Sequence, residues 1–174
     1  MNHSEVSMLR NLSVVAVCVS LILAMVPASA QVTESKNLES ALAALALRQD
    51  FPQVGDIQAS LHVVFSDETP LIGSTFYKAK NNRWGITTVT LADPRDPFHG
   101  MSITLDGSSC ATAIGVAKFA GVAVNHNWAL GVDGGPGYRA ISARIDDQRE
   151  LSFWATSDHD CLTKVRLRED PPAH

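Results

Sequence analysis

The stretch CLTKVRLRE, residues 161–169, puts Cys161, Thr163, Val165 and Leu167 on one side of an extended chain and Leu162, Lys164, Arg166 and Arg168 on the other. Alternation of this kind is the mark of a half-buried strand, because successive side chains of a strand point to opposite faces of its sheet. Two similar runs precede it, GYRAISARI at 137–145 and ELSFWAT at 150–156, joined by short polar links that include Asp146-Asp147. Three alternating runs with turn residues between them predict an antiparallel meander.

Working toward the N-terminus, DGSSCATAIGVAKFAG at 106–121 predicts a helix that starts near Cys110 with Ser108 or Ser109 as its cap and stops at Gly121. ADPRDPFHG at 92–100 is too rich in Pro, Asp and Gly for a central strand and reads as a loop before the strand MSITL. STFYKAK and RWGITTVTLA, separated by Asn81 and Asn82, are expected to pair. IQASLHVVF at 57–65 alternates and reads as a further strand, with His62 on its polar side. TESKNLESALAALALRQD at 33–50 carries Leu38, Leu42 and Leu45 on one helical face, with Thr33 or Ser35 as cap and Pro52 as terminator. The expected class is α+β: a largely antiparallel sheet of about six to seven strands with two helices packed on one face. Two halves, each a helix followed by strands, suggest themselves, without a shared residue pattern.

Residues 1–30 contain Arg10, an apolar run from Val14 to Val26 and the ending Ala28-Ser29-Ala30, the pattern of a secretory signal peptide cleaved after Ala30. The apolar run falls short of the roughly 20 residues that a spanning helix needs. The expected organisation is a cleaved leader at 1–30, a single domain at 31–168 and a frayed tail at 169–174, in the periplasm or outside the cell. Loss of the leader removes Glu5 and Arg10 together, so the net charge stays at −4. With no basic stripe in the sequence as a whole, nucleic acid is not an expected partner, and neither is a membrane once the leader is removed. Cys110 and Cys161 are the two cysteines left, and in an oxidising compartment they are expected to bond.

No Gly-x-Ser-x-Gly, His-Glu-x-x-His or Cys-x-x-Cys motif occurs in residues 31–174, and no cofactor is implied. GVDGGPGY at 131–138 resembles a phosphate loop in composition, yet it precedes a strand and lacks the Lys-Ser/Thr ending. Together with NHNW at 125–128 it is expected to form an irregular binding stretch, with His126, Trp128, Asp133 and Tyr138 as candidate binding residues. The competing chemistry is a metal-assisted hydrolase that uses His99, His126, Asp158 and His159. In size, export and architecture the chain resembles the small periplasmic inhibitors and immunity proteins that block cell-wall-degrading enzymes. The lysozyme-inhibitor pattern of Ser-Gly followed shortly by Tyr is not met, since GGPGY lacks the serine. That resemblance implies a non-enzymatic protein whose partner is a secreted hydrolase or toxin. An envelope-assembly role through a sheet edge is the third expectation.

Overall fold

The computed structural model describes residues 28–81, 83–93, 99–130, 138–156 and 159–170, with side chains described in these ranges except at 28–35, 126–130 and 138–139. The chain divides into two units at Val32/Thr33. The first contributes the start of helix α1 to the described residues, and the sheet belongs to the second.

Among the described residues the order is α1 (Ala28–Ala46), α2 (Val54–Leu61), β1 (Phe65–Leu71), β2 (Ser74–Ala79), β3 (Ile86–Ala92), β4 (His99–Leu105), α3 (Ala113–Ala120), β5 (Val124–Leu130), β6 (Tyr138–Arg144), β7 (Arg149–Thr156) and β8 (Leu162–Glu169). All eight strands form one antiparallel sheet in the order β1-β2-β3-β4-β8-β7-β6-β5. The α+β class is as expected, with eight strands and three α-helices among the described residues in place of six to seven and two. Two helices precede the first four-stranded meander and one precedes the second; the last strand of each meander lies at the centre, where β4 and β8 join the halves. The strand order of the second meander mirrors that of the first about the β4–β8 pair.

One face of the sheet is covered. Leu38, Leu42 and Leu45 of α1, Ile57 and Leu61 of α2 and Val116 and Ala117 of α3 share a buried cluster with Val89, Ile103, Phe153, Val165 and Leu167 from the strands. The stripe expected on α1 is therefore its core face. Its start differs from expectation: the helix is already formed at Ala28, so Thr33 and Ser35 lie inside it and do not cap it.

The expected strand at 57–65 is a helix for most of its length. Ile57 and Leu61 are four residues apart, a spacing that satisfies a strand's period of two and a helix's i, i+4 contact equally. The local capping decides between them. Pro52 precedes the helix, and the Gln53 N–H donates to Asp56 Oδ2 at 2.9 Å, closing the first turn. His62 then adopts the left-handed conformation, with φ 48°, and ends the helix. The next stretch of chain is held by Asn81, whose Oδ1 accepts from Val64 N at 2.8 Å.

Helix α3 also starts later than expected, at Ala113, with Thr112 as its cap and neither Ser108 nor Ser109 in that role. The cause is the Cys110–Cys161 disulfide. Cys110 takes the left-handed conformation, φ 46°, and the bond holds Ala111 and Thr112 along β8, where Leu162 N donates to Ala111 O at 2.8 Å and Thr112 bridges to Cys161. Helical geometry begins one residue beyond that contact. Thr112 Oγ1 accepts from Gly115 N at 3.0 Å, while Thr112 donates through N and Oγ1 to Glu39 Oε1 at 2.7 and 2.8 Å. Glu39, on α1, is 7% exposed. At the far end Gly121 takes the left-handed conformation, φ 68°, as its place after the helix requires.

Two expectations about strand faces change. NHNW lies within β5, with a register shift at Asn125, and is not a loop. In β8, Ala155 pairs with Leu162 while Trp154 pairs with Lys164, so Thr163 is an extra residue in the ladder. This bulge turns Leu162, expected on the solvent side, into the core at 1% exposure. The last strand runs through Glu169, and Asp170 N donates to Gln148 O at 2.8 Å.

A Cβ on Gly115 would overlap the Glu39 carboxyl group. Gly115→Ala is therefore expected to lower the melting temperature, although alanine is favoured by about 1 kcal/mol in a helix interior. In a Glu39→Ala background the same change should be neutral or stabilising, and thermal unfolding of the four proteins checks this. Replacing both disulfide cysteines by serine should reduce stability by about 4 kcal/mol in the chain-entropy model, measured by denaturant unfolding.

Candidate functional site

The face opposite the helices has no element packed on it among the described residues, and the strand register shows which residues meet there. One cross-strand row runs Trp128, Ala140, Trp154, Lys164, Thr104, Thr88, Lys78. The next runs His126, Ser142, Ser152, Arg166, Ser102, Thr90, Phe76. Both rows alternate with core positions such as Ile141, Phe153 and Val165, so they belong to the uncovered face.

The chemistry of that face changes across it. On β8 the cations Lys164, Arg166 and Arg168 recur at every second residue. Lys164 Nζ sits 5.2 Å from the centroid of the Trp154 ring, a cation–π contact that holds both side chains in place. Arg168 pairs with Asp170 at 2.6 Å. Toward β2 the face is paved with short hydroxyl side chains, which with Phe76, Lys164 and Arg166 enclose a depression of ≈ 470 Å³. Toward β5 a second depression of ≈ 300 Å³ is lined by Asn125, Ser142, Arg144 and Glu150.

Three of the four expected binding residues fall at this second end. His126 and Trp128 lie on β5, the outer strand of the sheet, and Tyr138 opens β6 opposite Leu130. Tyr138 is also in register with Thr156 of β7, two residues along that strand from Trp154. Asp133 lies outside the described residues. The backbone thus brings Trp128, Tyr138 and Trp154 to neighbouring positions of one sheet end, although they are far apart in sequence. Trp154 is absent from the site residues that the sequence suggests. Its alternation with Leu151, Phe153 and Ala155 marks it as a solvent-side position, and the pairing of β7 with β6 gives that position its neighbours.

The expected metal set is not assembled in the same way. His99 pairs across the sheet with Glu169, at the end of β8, and its ring lies edge-on to Phe51 at 5.6 Å. His159 shortly precedes the start of β8, so the two histidines are separated by the length of that strand, about 25 Å. Asp158 lies outside the described residues, and among the described residues no group of three His, Cys, Asp or Glu side chains is placed to hold a metal ion. A small cleft of ≈ 120 Å³ beside His99 is lined by Phe51, Leu91 and Tyr77. Burial, and then the charge and hydrogen bond of Glu68, raise the Tyr77 hydroxyl above its ordinary value, so this ring is a neutral donor.

The second titratable group with a clear shift lies at the β6–β7 turn. Burial alone would raise Asp146, but Arg149 and the N–H groups of Gln148 and Arg149 bind its carboxylate and bring it below its ordinary value. The Arg149 guanidinium lies 2.6 Å from Asp146 Oδ2 and also donates to the carbonyls of Ala46 and Arg48, at and just beyond the end of α1. No protein-family model, curated protein or solved structure matches the chain.

The Asp146 carboxylate is more stable in the folded chain than in the unfolded one. Its contribution is complete above the ordinary carboxylate value of 3.8 and is lost as pH falls through the lower folded value. Asp146→Asn should therefore destabilise by at most about 1 kcal/mol at pH 7, since the pair is solvent-exposed. The difference from the parent should vanish in strong acid, and urea unfolding at neutral and strongly acidic pH measures it.

Proposed function

We propose that the chain is an exported, non-enzymatic binding protein that blocks a secreted or cell-wall-degrading hydrolase, as an inhibitor or immunity protein. The observation that carries this is the uncovered sheet end at which Trp128, Tyr138 and Trp154 occupy neighbouring positions. Aromatic side chains bury large areas with few rotatable bonds and dominate protein interfaces, so three aromatic residues at nearby register positions of an uncovered sheet end suit a protein partner. The disulfide and the leader sequence support an oxidising compartment. This end of the sheet replaces the irregular loop expected from the sequence as the proposed contact surface.

A second reading, assembly with another protein through a sheet edge, is favoured by β5. Its sequence VNHNWAL carries no Asp, Glu, Lys, Arg or Pro, whereas the opposite edge strand, FSDETPL, contains Asp67, Glu68 and Pro70. Charges and proline are the usual protection of an edge against pairing, and β5 is without them.

The test is inhibition of peptidoglycan clearing by a panel of purified muramidases, amidases and endopeptidases. The folded wild-type protein should inhibit at least one of them in a saturable way. Tyr138→Ala and Trp154→Ala should each weaken that inhibition at least tenfold with little change in melting temperature. Inhibition of none by folded protein would sink the proposal, as would full inhibition by both variants.

A further inference from the structure

The hydroxyl-paved depression on the other half of the open face has no role in that proposal, and its chemistry points to a different ligand. We infer that it is a binding site for a linear acidic polysaccharide, a chain of sugar rings bearing carboxylates.

Charge is the first ground. Lys164 and Arg166 border the depression from a central strand. Their backbone neighbours are Thr104 and Trp154 for Lys164, and Ser102 and Ser152 for Arg166, none of which is anionic. Among the described residues no carboxylate pairs with either cation, in contrast to Arg168, which Asp170 holds. In a protein of net charge −4, two adjacent unneutralised cations form a local field of the opposite sign. They stand two residues apart on one strand, about 7 Å, so a single extended ligand can meet both.

The lining selects among anions. Ser74, Thr88, Thr90, Ser102 and Thr104 supply hydroxyls, and Ala92 and Gly100 leave the floor low. Hydroxyls both donate and accept, which suits a ligand that is itself covered in hydroxyls. Ser102 Oγ is buried without a hydrogen-bond partner among the described residues. Protein interfaces are depleted in Ser and Lys, whereas Ser74, Ser102 and Lys164 line this surface and Phe76 is its single aromatic. Nucleic acid, with its dense phosphate charge, needs more cations than two and is repelled by the net charge of the chain. A hydroxyl-rich chain of low charge density remains. The volume, ≈ 470 Å³, lies within the roughly 300–1,000 Å³ of small-ligand sites.

Gly100 provides a variant that blocks the site without removing charge. A Cβ there would meet nothing closer than Ala92 Cβ at 3.9 Å, and the methyl groups of a valine would extend from it into the depression that Gly100 lines. The experiment is titration of the full-length protein with polygalacturonate at low salt, followed by calorimetry, with dextran, poly-glutamate and an oligothymidylate as comparison probes. The expected result is saturable binding of polygalacturonate that weakens with salt, weaker binding of the other three, and a loss of at least tenfold in both Lys164→Ala/Arg166→Ala and Gly100→Val. Gly100→Val should keep the parental melting temperature, and Arg168→Ala should bind nearly as the parent does. Failure of folded wild-type protein to bind polygalacturonate would overturn the inference. So would tighter binding of dextran, poly-glutamate or the oligothymidylate, or unimpaired binding by Gly100→Val. Tyr138→Ala leaves this site intact, so the outcome is separable from that of the inhibition assay.

Discussion

Glu39 is a carboxylate buried in the layer between helices, and much of the architecture is arranged around keeping it satisfied. It accepts two hydrogen bonds from Thr112, and Thr112 in turn caps α3 through Gly115 N. A buried polar group without partners is costly, so α1 and α3 are held in one relative position by the need to complete these bonds. Gly115 is required because any side chain would occupy the space of the carboxylate. Two residues before Thr112, Cys110 is bonded to Cys161, so the same junction fixes the start of α3 against β8. At its other end α1 is held by Arg149, which donates to the carbonyls of Ala46 and Arg48 and pairs with Asp146 in the β6–β7 turn. The helical layer is thus tied to the second meander at two separate points, both polar, while the apolar cluster fills the space between.

Local structure is legible in the sequence wherever a single period dominates. Leu38, Leu42 and Leu45 fit a helix and no strand, and the alternation of residues 149–169 fits a strand and no helix. Residues 57–65 mislead because Ile57 and Leu61 obey both periods, and the deciding signal, Gln53 to Asp56 after Pro52, lies upstream of the alternating run. The start of α3 is misread because Ser108 and Ser109 both fit a cap by local pattern, whereas capping by Thr112 depends on a disulfide and a bridge to β8. Leu162 takes the face opposite to its local pattern because a bulge is a property of two strands together.

The candidate surfaces are less legible than the fold for a related reason. Trp128 and Tyr138 stand out as aromatics outside a regular core pattern. That Trp154 lies near them is a result of pairing across β6, which no local pattern reports. Likewise Lys164 and Arg166 read as the ordinary polar side of a strand. They become the border of a hydroxyl-lined depression through the pairing of β8 with β4, a partner far earlier in the chain. Surfaces made by long-range strand order are invisible to spacing along one strand.

The mirrored strand order also has a consequence for assembly. The strand nearest the centre of the sheet on the second half is the last to be synthesised. Until β8 is available, β4 has no second neighbour, and Met101, Ile103 and Leu105 lie on a strand with one open hydrogen-bonding edge. The first meander can close its local hairpins early, but its central edge waits for β8, and Cys110 waits for Cys161 just before that strand. Contacts of such long range impose a slow search with a late reward. A truncation of the final strand would therefore leave two half-sheets with their most apolar edges exposed, a larger loss than trimming either outer strand.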